Sequence, residues 1–209
     1  MTHLRANSVI AIVRFREPGD LDGTLDALAE GGIPLLEVTL DTPGALDALR
    51  RAASRGRSVG AGTVVTAEQV GACADAGAAF VVSPGLVLEV LEAAARLRVE
   101  AVPGVLTPTE VQQATSHGAE TVKIFPASLG GPAYLRALRG PFPNVGMVPT
   151  GGVGIEEVAA YLTAGATAVG LGGALVGSMP PSSQADLDAI AARASRAVEI
   201  AARGGSNGP

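Results

Sequence analysis

One alternation limits what this chain can fold into. A short apolar run, a turn rich in Gly, Pro or Thr, a helical stretch and a closing Gly follow one another along its whole length. The apolar runs fall at residues 9–13, 35–39, 59–61, 80–83, 100–102, 121–125, 146–149 and 168–171. They recur about every 20 to 25 residues, which is room for one strand and one helix. Helical stretches lie between them at 21–30, 45–55, 67–76, 87–96, 109–117, 133–138 and 156–163, with a last one at 186–202.

The punctuation supports the alternation. Ala76-Gly77-Ala78, His117-Gly118-Ala119 and Ala164-Gly165-Ala166 close three helices alike, with Gly31-Gly32 in the same role. Thr66 precedes Glu68 and Gln69, and Thr107-Pro108 precedes Glu110, the cap-and-return pattern of a helix start. Eight such units in about 200 residues predict a single-domain (β/α)8 TIM barrel over residues 1–203, with 204–209 as a flexible tail. The other arrangement of alternating units is an open, doubly wound sheet. It calls for a G-x-G-x-x-G turn after the first strand, where this chain has Arg14-Phe15-Arg16-Glu17-Pro18. The barrel is the better fit.

Composition removes several functions. Hydrophobic residues make up 47% and charged residues 17%, a globular balance. A net charge of −5, no Trp and few other aromatics leave nucleic-acid binding without a basic surface or stacking platform. No apolar run is long enough to span a bilayer and the N-terminus lacks a secretion signal, so no membrane partner and a cytoplasmic location are expected. Cys73 alone permits no disulfide and reads as a buried helix thiol. His3 and His117 have no third ligand at a recognisable spacing, so no metal is expected.

Chemistry gathers where strand alternation points side chains inward. Of fifteen Lys and Arg residues, Lys123 is the only lysine, and it lies inside Thr121-Val122-Lys123-Ile124-Phe125-Pro126. Arginine stays charged in proteins, whereas a desolvated lysine becomes a nucleophilic amine and a Schiff-base former. The plainer alternative is a lysine snorkelling from a strand end. Thr121, Lys123 and Phe125 share one face, and on the second strand Leu35, Glu37 and Thr39 share another. Glu37 is either an ion-pair partner for an arginine or a general acid/base whose proton affinity is set by burial and nearby cations. A lysine and a glutamate facing one barrel interior is a pairing that simple packing avoids.

Arg14 ends the first strand on the face of Ile10 and Ile12, at the barrel mouth, where a guanidinium suits a carboxylate, although a plain surface arginine would also stand there. Thr63 offers a hydroxyl at the end of Val59-Gly60-Ala61-Gly62. Gly151-Gly152 and Gly172-Gly173 close the last two strands, the places where backbone amides of this fold cradle phosphate.

In these stretches the chain resembles the KDPG/KHG aldolase family, the aldolases of 2-keto-3-deoxy-6-phosphogluconate and 4-hydroxy-2-oxoglutarate with their 6-phosphogalactonate relative. The likeness lies in IAIVR at 10–14, LEVTL at 36–40, VGAGTV at 59–64, SPGL at 83–86, PGVLTPTE at 103–110, VKIFPAS at 122–128 and PTGGV at 149–153. It implies a homotrimeric lyase of carbohydrate metabolism, in the Entner-Doudoroff pathway, that needs no metal or cofactor. Residue by residue, it makes Lys123 the Schiff-base lysine and Glu37 the acid/base. Arg14 and Thr63 would hold the substrate carboxylate, and Pro84, Phe125 and Thr150 would shape the pocket. Gly151, Gly152, Gly172 and Gly173 would take phosphate. The implied reaction is cleavage of a 2-keto-4-hydroxy acid, foremost 2-keto-3-deoxy-6-phosphogluconate, to pyruvate and glyceraldehyde 3-phosphate.

Three positions depart from the phosphogluconate branch. Asp41 stands where that branch tends to carry Arg, Ala174 where a Ser often follows the glycine pair, and Ser128 also leans away from it. The galactonate and hydroxyoxoglutarate substrates therefore remain open. So do a phosphosugar epimerase or isomerase on the same barrel, and a non-catalytic barrel binding a phosphorylated or carboxylated metabolite.

Overall fold

A computed structural model of the chain describes residues 8–205. His3 and the residues beyond 205 lie outside that range. Strands and helices alternate through the first half: β1 (Ser8–Val13), α1 (Leu21–Glu30), β2 (Leu35–Thr39), α2 (Ala45–Ser54), β3 (Val59–Gly62), α3 (Ala67–Asp75), β4 (Phe80–Val82) and α4 (Leu88–Leu97). There follow β5 (Glu100–Val102), β6 (Gly104–Val105), α5 (Pro108–Ser116), β7 (Thr121–Ile124), α6 (Gly131–Arg139) and β8 (Gly146–Pro149). The chain closes with α7 (Val158–Thr163), β9 (Ala168–Leu171), the one-turn α8 (Gly173–Val176) and α9 (Gln184–Gly205).

All paired strands are parallel. They form two ladders, a six-stranded one in the order β5-β4-β3-β2-β1-β9 and a three-stranded one in the order β6-β7-β8. The eight strands expected become nine because Pro103, which has no N–H to donate, interrupts the fifth. Its carbonyl still accepts from the Lys123 amide at 2.9 Å, and on the other side Thr150 and Gly170 form an isolated parallel bridge. The ladders therefore meet at two seams, and hydrogen bonding is not one uninterrupted ring.

Two hydrophobic layers follow from strand alternation. Outward residues such as Ala11, Val13, Leu36, Val38, Val122 and Ile124 join the large core beneath the helices. Inward residues Ile10, Leu35, Phe80, Val82, Val102, Val148 and Ala168 form a separate small cluster. Strand faces assigned from the sequence are thus recovered, including Leu35 opposite Leu36.

Helix ends behave as their residues require. Thr66 and Gln69 make a reciprocal capping box, as do Thr107 and Glu110 with Pro108 in the first turn. Backbone N–H donors of Leu106 and Thr107 hold the Glu110 carboxyl below its usual range. Gly77, Gly118 and Gly165 take left-handed φ values of 82°, 87° and 98°, where a Cβ would be strained. Asp186 gathers the backbone amides of Ser182 and Ser183 at the start of α9. That helix runs through Gly205, into the segment expected as a tail. Among the described residues no helix is long and apolar enough to cross a membrane.

Candidate active site

Lys123 and Glu37 are buried at 6% and 2% exposure, each on the inward face of its strand. Register sets Glu37 opposite Ile12 on one side and Gly60 on the other. Its carboxylate occupies space that only a glycine leaves open: a Cβ on Gly62 would overlap the Glu37 carboxylate oxygen. Glu37 Oε1 is buried and has no hydrogen-bond partner among the described residues. Burial raises its proton affinity above the usual carboxylate range, and the charges of Lys123 and Arg14 oppose that rise without cancelling it.

Lys123 links two spaces. Below it lies a void of about 10 Å³, shared with Glu37, Phe80, Val82 and Val102, just enough for one water. Above it opens a cavity of about 590 Å³ at the C-terminal ends of the strands. Lys123 Nζ lies 5.2 Å from the centroid of the Phe125 ring. A keto acid entering from above would meet the amine before it met the carboxylate.

The remaining residues singled out in the sequence converge on the larger cavity. Arg14, Thr63, Pro84 and Phe125 line it, and so do Thr150, Gly151, Gly152, Gly172 and Gly173. Arg14 Nη2 donates to Thr63 Oγ1 at 2.7 Å, and Arg14 Nε stands 3.4 Å from Asp41 Oδ2. Thr63 holds a φ of 60°, a left-handed conformation uncommon for a β-branched residue, and its hydroxyl is thereby turned to the guanidinium. Gly151 and Gly152 have φ values of 91° and 72°. A Cβ on Gly151 would come 2.8 Å from the Phe125 ring, and one on Gly152 would come 2.7 Å from Ser128 Cβ.

Some cavity residues escaped the sequence reading. Ile12 and Gly170 line both spaces, and Val153 lines the upper one. Ile12 was recoverable, being two residues before Arg14 on the same strand face. Gly170 lies inside the last apolar run, two residues before the Gly172-Gly173 pair, and a Cβ there would overlap Thr150 Oγ1. Asp41 was named as a departure from a pattern, and the structure makes it part of the wall. Cys73 is buried, its thiol pushed up to about 11 by desolvation, and His117 closes α5 with Nδ1 2.9 Å from the Gln113 carbonyl.

Known proteins are similar to this chain in sequence and fold. A "2-dehydro-3-deoxy-phosphogluconate aldolase" of Pseudomonas aeruginosa is 40% identical over 164 residues, covering 77% of this chain and 74% of that protein. A "Probable 2-dehydro-3-deoxy-6-phosphogalactonate aldolase" of Rhizobium meliloti is 37% identical, covering 80% of this chain and 81% of the relative. Among solved structures, the KDPG aldolase of Legionella pneumophila superposes with a TM-score of 0.78 at 33% identity, covering 91% of this chain and 94% of that one. That structure holds pyruvate captured as a covalent carbinolamine intermediate. Residues 1–193 match the family description "KDPG and KHG aldolase". Sequence, fold and relatives agree: this chain belongs to the KDPG and KHG aldolase family and is an aldolase, a lyase.

Proposed function

We propose that this aldolase cleaves a 2-keto-4-hydroxy acid through an imine on Lys123. Its main substrate is then 2-keto-3-deoxy-6-phosphogluconate, yielding pyruvate and D-glyceraldehyde 3-phosphate. One observation carries the reading: the chain's only lysine is buried where it lines a cavity of about 590 Å³, beside a buried carboxyl with an oxygen unpartnered among the described residues.

The amine of Lys123 attacks C2 of the substrate and forms a carbinolamine. Loss of water, with proton transfer through Glu37, leaves an iminium ion. Glu37, directly or through one water in the void beside it, takes the proton of the C4 hydroxyl. The C3–C4 bond breaks, its electron pair flows into the iminium, and the aldehyde departs. The remaining enamine gains a proton at C3, and water releases pyruvate and regenerates the amine. A carboxyl whose proton affinity burial raises suits both directions of this shuttle, since it holds a proton more readily than an exposed one and can still give it up.

Arg14 and Thr63 hold the substrate carboxylate in this scheme, with Pro84, Phe125 and Thr150 confining the carbon chain. The turns at Gly151-Gly152 and Gly172-Gly173 receive the phosphate through backbone amides. We read the two ladders as one closed (β/α)8 barrel whose seams are bridged by a few hydrogen bonds, and the assembly as a cytoplasmic homotrimer working without metal or cofactor. Sedimentation of the purified protein tests the trimer.

Borohydride added in the presence of pyruvate should reduce the imine to a secondary amine and add a stable mass to the peptide containing Lys123. Full activity with Lys123 unmodified after that treatment would overturn the mechanism. An epimerase or a binding barrel would leave the lysine untouched. Pyruvate release from the gluconate, galactonate and hydroxyoxoglutarate substrates, measured side by side, ranks them.

A further inference from the structure

The rim of the cavity holds a second cation–carboxylate pair, and the reaction scheme leaves its acidic member without a task. Arg14 has five N–H donors. One Nη2 hydrogen goes to Thr63 and Nε faces Asp41, so among the described residues the Nη1 group and the remaining Nη2 hydrogen are left to a ligand. Both side chains are about half exposed, at 50% and 52%, so the pair contributes little to holding the fold. Asp41 nevertheless lines the substrate cavity, where the ionisable side chains are Arg14, Lys123 and Asp41. A carboxylate there acts on any anion in the cavity without touching it, within a screening length of about 8 Å.

We propose that Asp41 is a specificity-determining residue that sorts substrates by the negative charge they carry beyond C4. This rests on the aldolase reading above. Every 2-keto acid brings the same carboxylate to Arg14, so Asp41 affects that end equally in all of them. A distal carboxylate or phosphate adds charge that Asp41 opposes, and an uncharged polyol tail adds none. The glycine turns alone would favour the phosphorylated substrate strongly. Asp41 narrows that preference, so shorter or uncharged 2-keto-4-hydroxy acids compete at the same site.

The test compares Asp41→Asn with wild type on a series of tail charge: 2-keto-3-deoxygluconate with none, 4-hydroxy-2-oxoglutarate with one, and 2-keto-3-deoxy-6-phosphogluconate with about two. The ratio of variant to wild-type kcat/KM should climb along the series, with roughly a three- to tenfold spread between its ends. The spread should reside in KM and shrink at high salt, and Asp41→Glu should keep the wild-type order. An equal ratio for all three substrates would mean Asp41 only positions Arg14, and would overturn the proposal. A spread indifferent to salt, or an Asp41→Glu variant behaving like Asp41→Asn, would overturn it as well. Borohydride trapping of wild type with pyruvate runs alongside. Without trapping the aldolase mechanism falls too; with trapping and a flat series, only the role of Asp41 falls.

Discussion

Two pairs of opposite charge serve this cavity, and their difference is burial. Lys123 and Glu37 lie on the inward faces of β7 and β2, nearly sealed from water. Arg14 and Asp41 stand half exposed at the rim, 3.4 Å apart. Desolvation dominates the inner pair: it lifts the proton affinity of Glu37 and leaves one oxygen unpartnered. Solvent dominates the outer pair, where charge steers a ligand but little is stored. A basic side chain beside a carboxyl therefore suits bond-making below and selection above.

The largest effect that could break this contrast is loss of the inner amine. Lys123→Arg should keep the fold and reduce pyruvate release by about 10⁴-fold or more, since a guanidinium forms no imine. Turnover near wild type would place the nucleophile elsewhere. Gly62→Ala comes next, because its methyl would push the Glu37 carboxylate aside while Lys123 stays in place. We expect kcat to fall by about 10²-fold, with borohydride trapping of pyruvate still detectable on long incubation. A normal rate would show that Glu37 has freedom the packing denies it.

Thr63→Val reaches only the rim. It removes the hydroxyl that accepts from Arg14, and should raise KM for the keto acid about five- to tenfold with kcat little changed. A drop in kcat instead would tie the rim to the chemistry itself. Stability sharpens the contrast from another side. Because burial raises the Glu37 pKa above its unfolded value, wild type loses stability as pH rises from the unfolded pKa through the folded one. Glu37→Gln removes that penalty, so its melting temperature should exceed that of wild type at neutral pH, and the gain should fade in acid. A melting temperature below wild type at pH 7 would make Glu37 a net stabiliser. Smallest of all, Asp41→Asn should change unfolding free energy by less than about 0.5 kcal/mol.

Much of this was readable from residue order, for physical reasons that also explain what was not. Strands were legible as short apolar runs between turns, and their inward faces because side chains along a strand point to alternate sides, which is why Glu37 and Lys123 could be paired across 86 positions of sequence. The glycine turns were legible because glycine marks backbone that other residues strain to adopt. The split of the fifth strand at Pro103 was not read, since the run resumes for only two residues beyond it. Helix α8 was missed because four residues starting with glycine carry no periodicity. The Arg14–Thr63 bond depends on a left-handed threonine, a conformation no propensity would suggest. Asp41 could be noticed, but only its neighbours in space reveal its partner.

The seam at Pro103 has one last consequence. Glu37 belongs to the six-stranded ladder and Lys123 to the three-stranded one, so no single ladder holds both reacting groups. Their mutual alignment is inherited from the stitch between ladders, and on one side that stitch is the amide of Lys123 itself, bonded to the Pro103 carbonyl. A slip of one residue there would turn the amine towards the helices. The residue that would carry the substrate is also a pin that keeps its own strand in step.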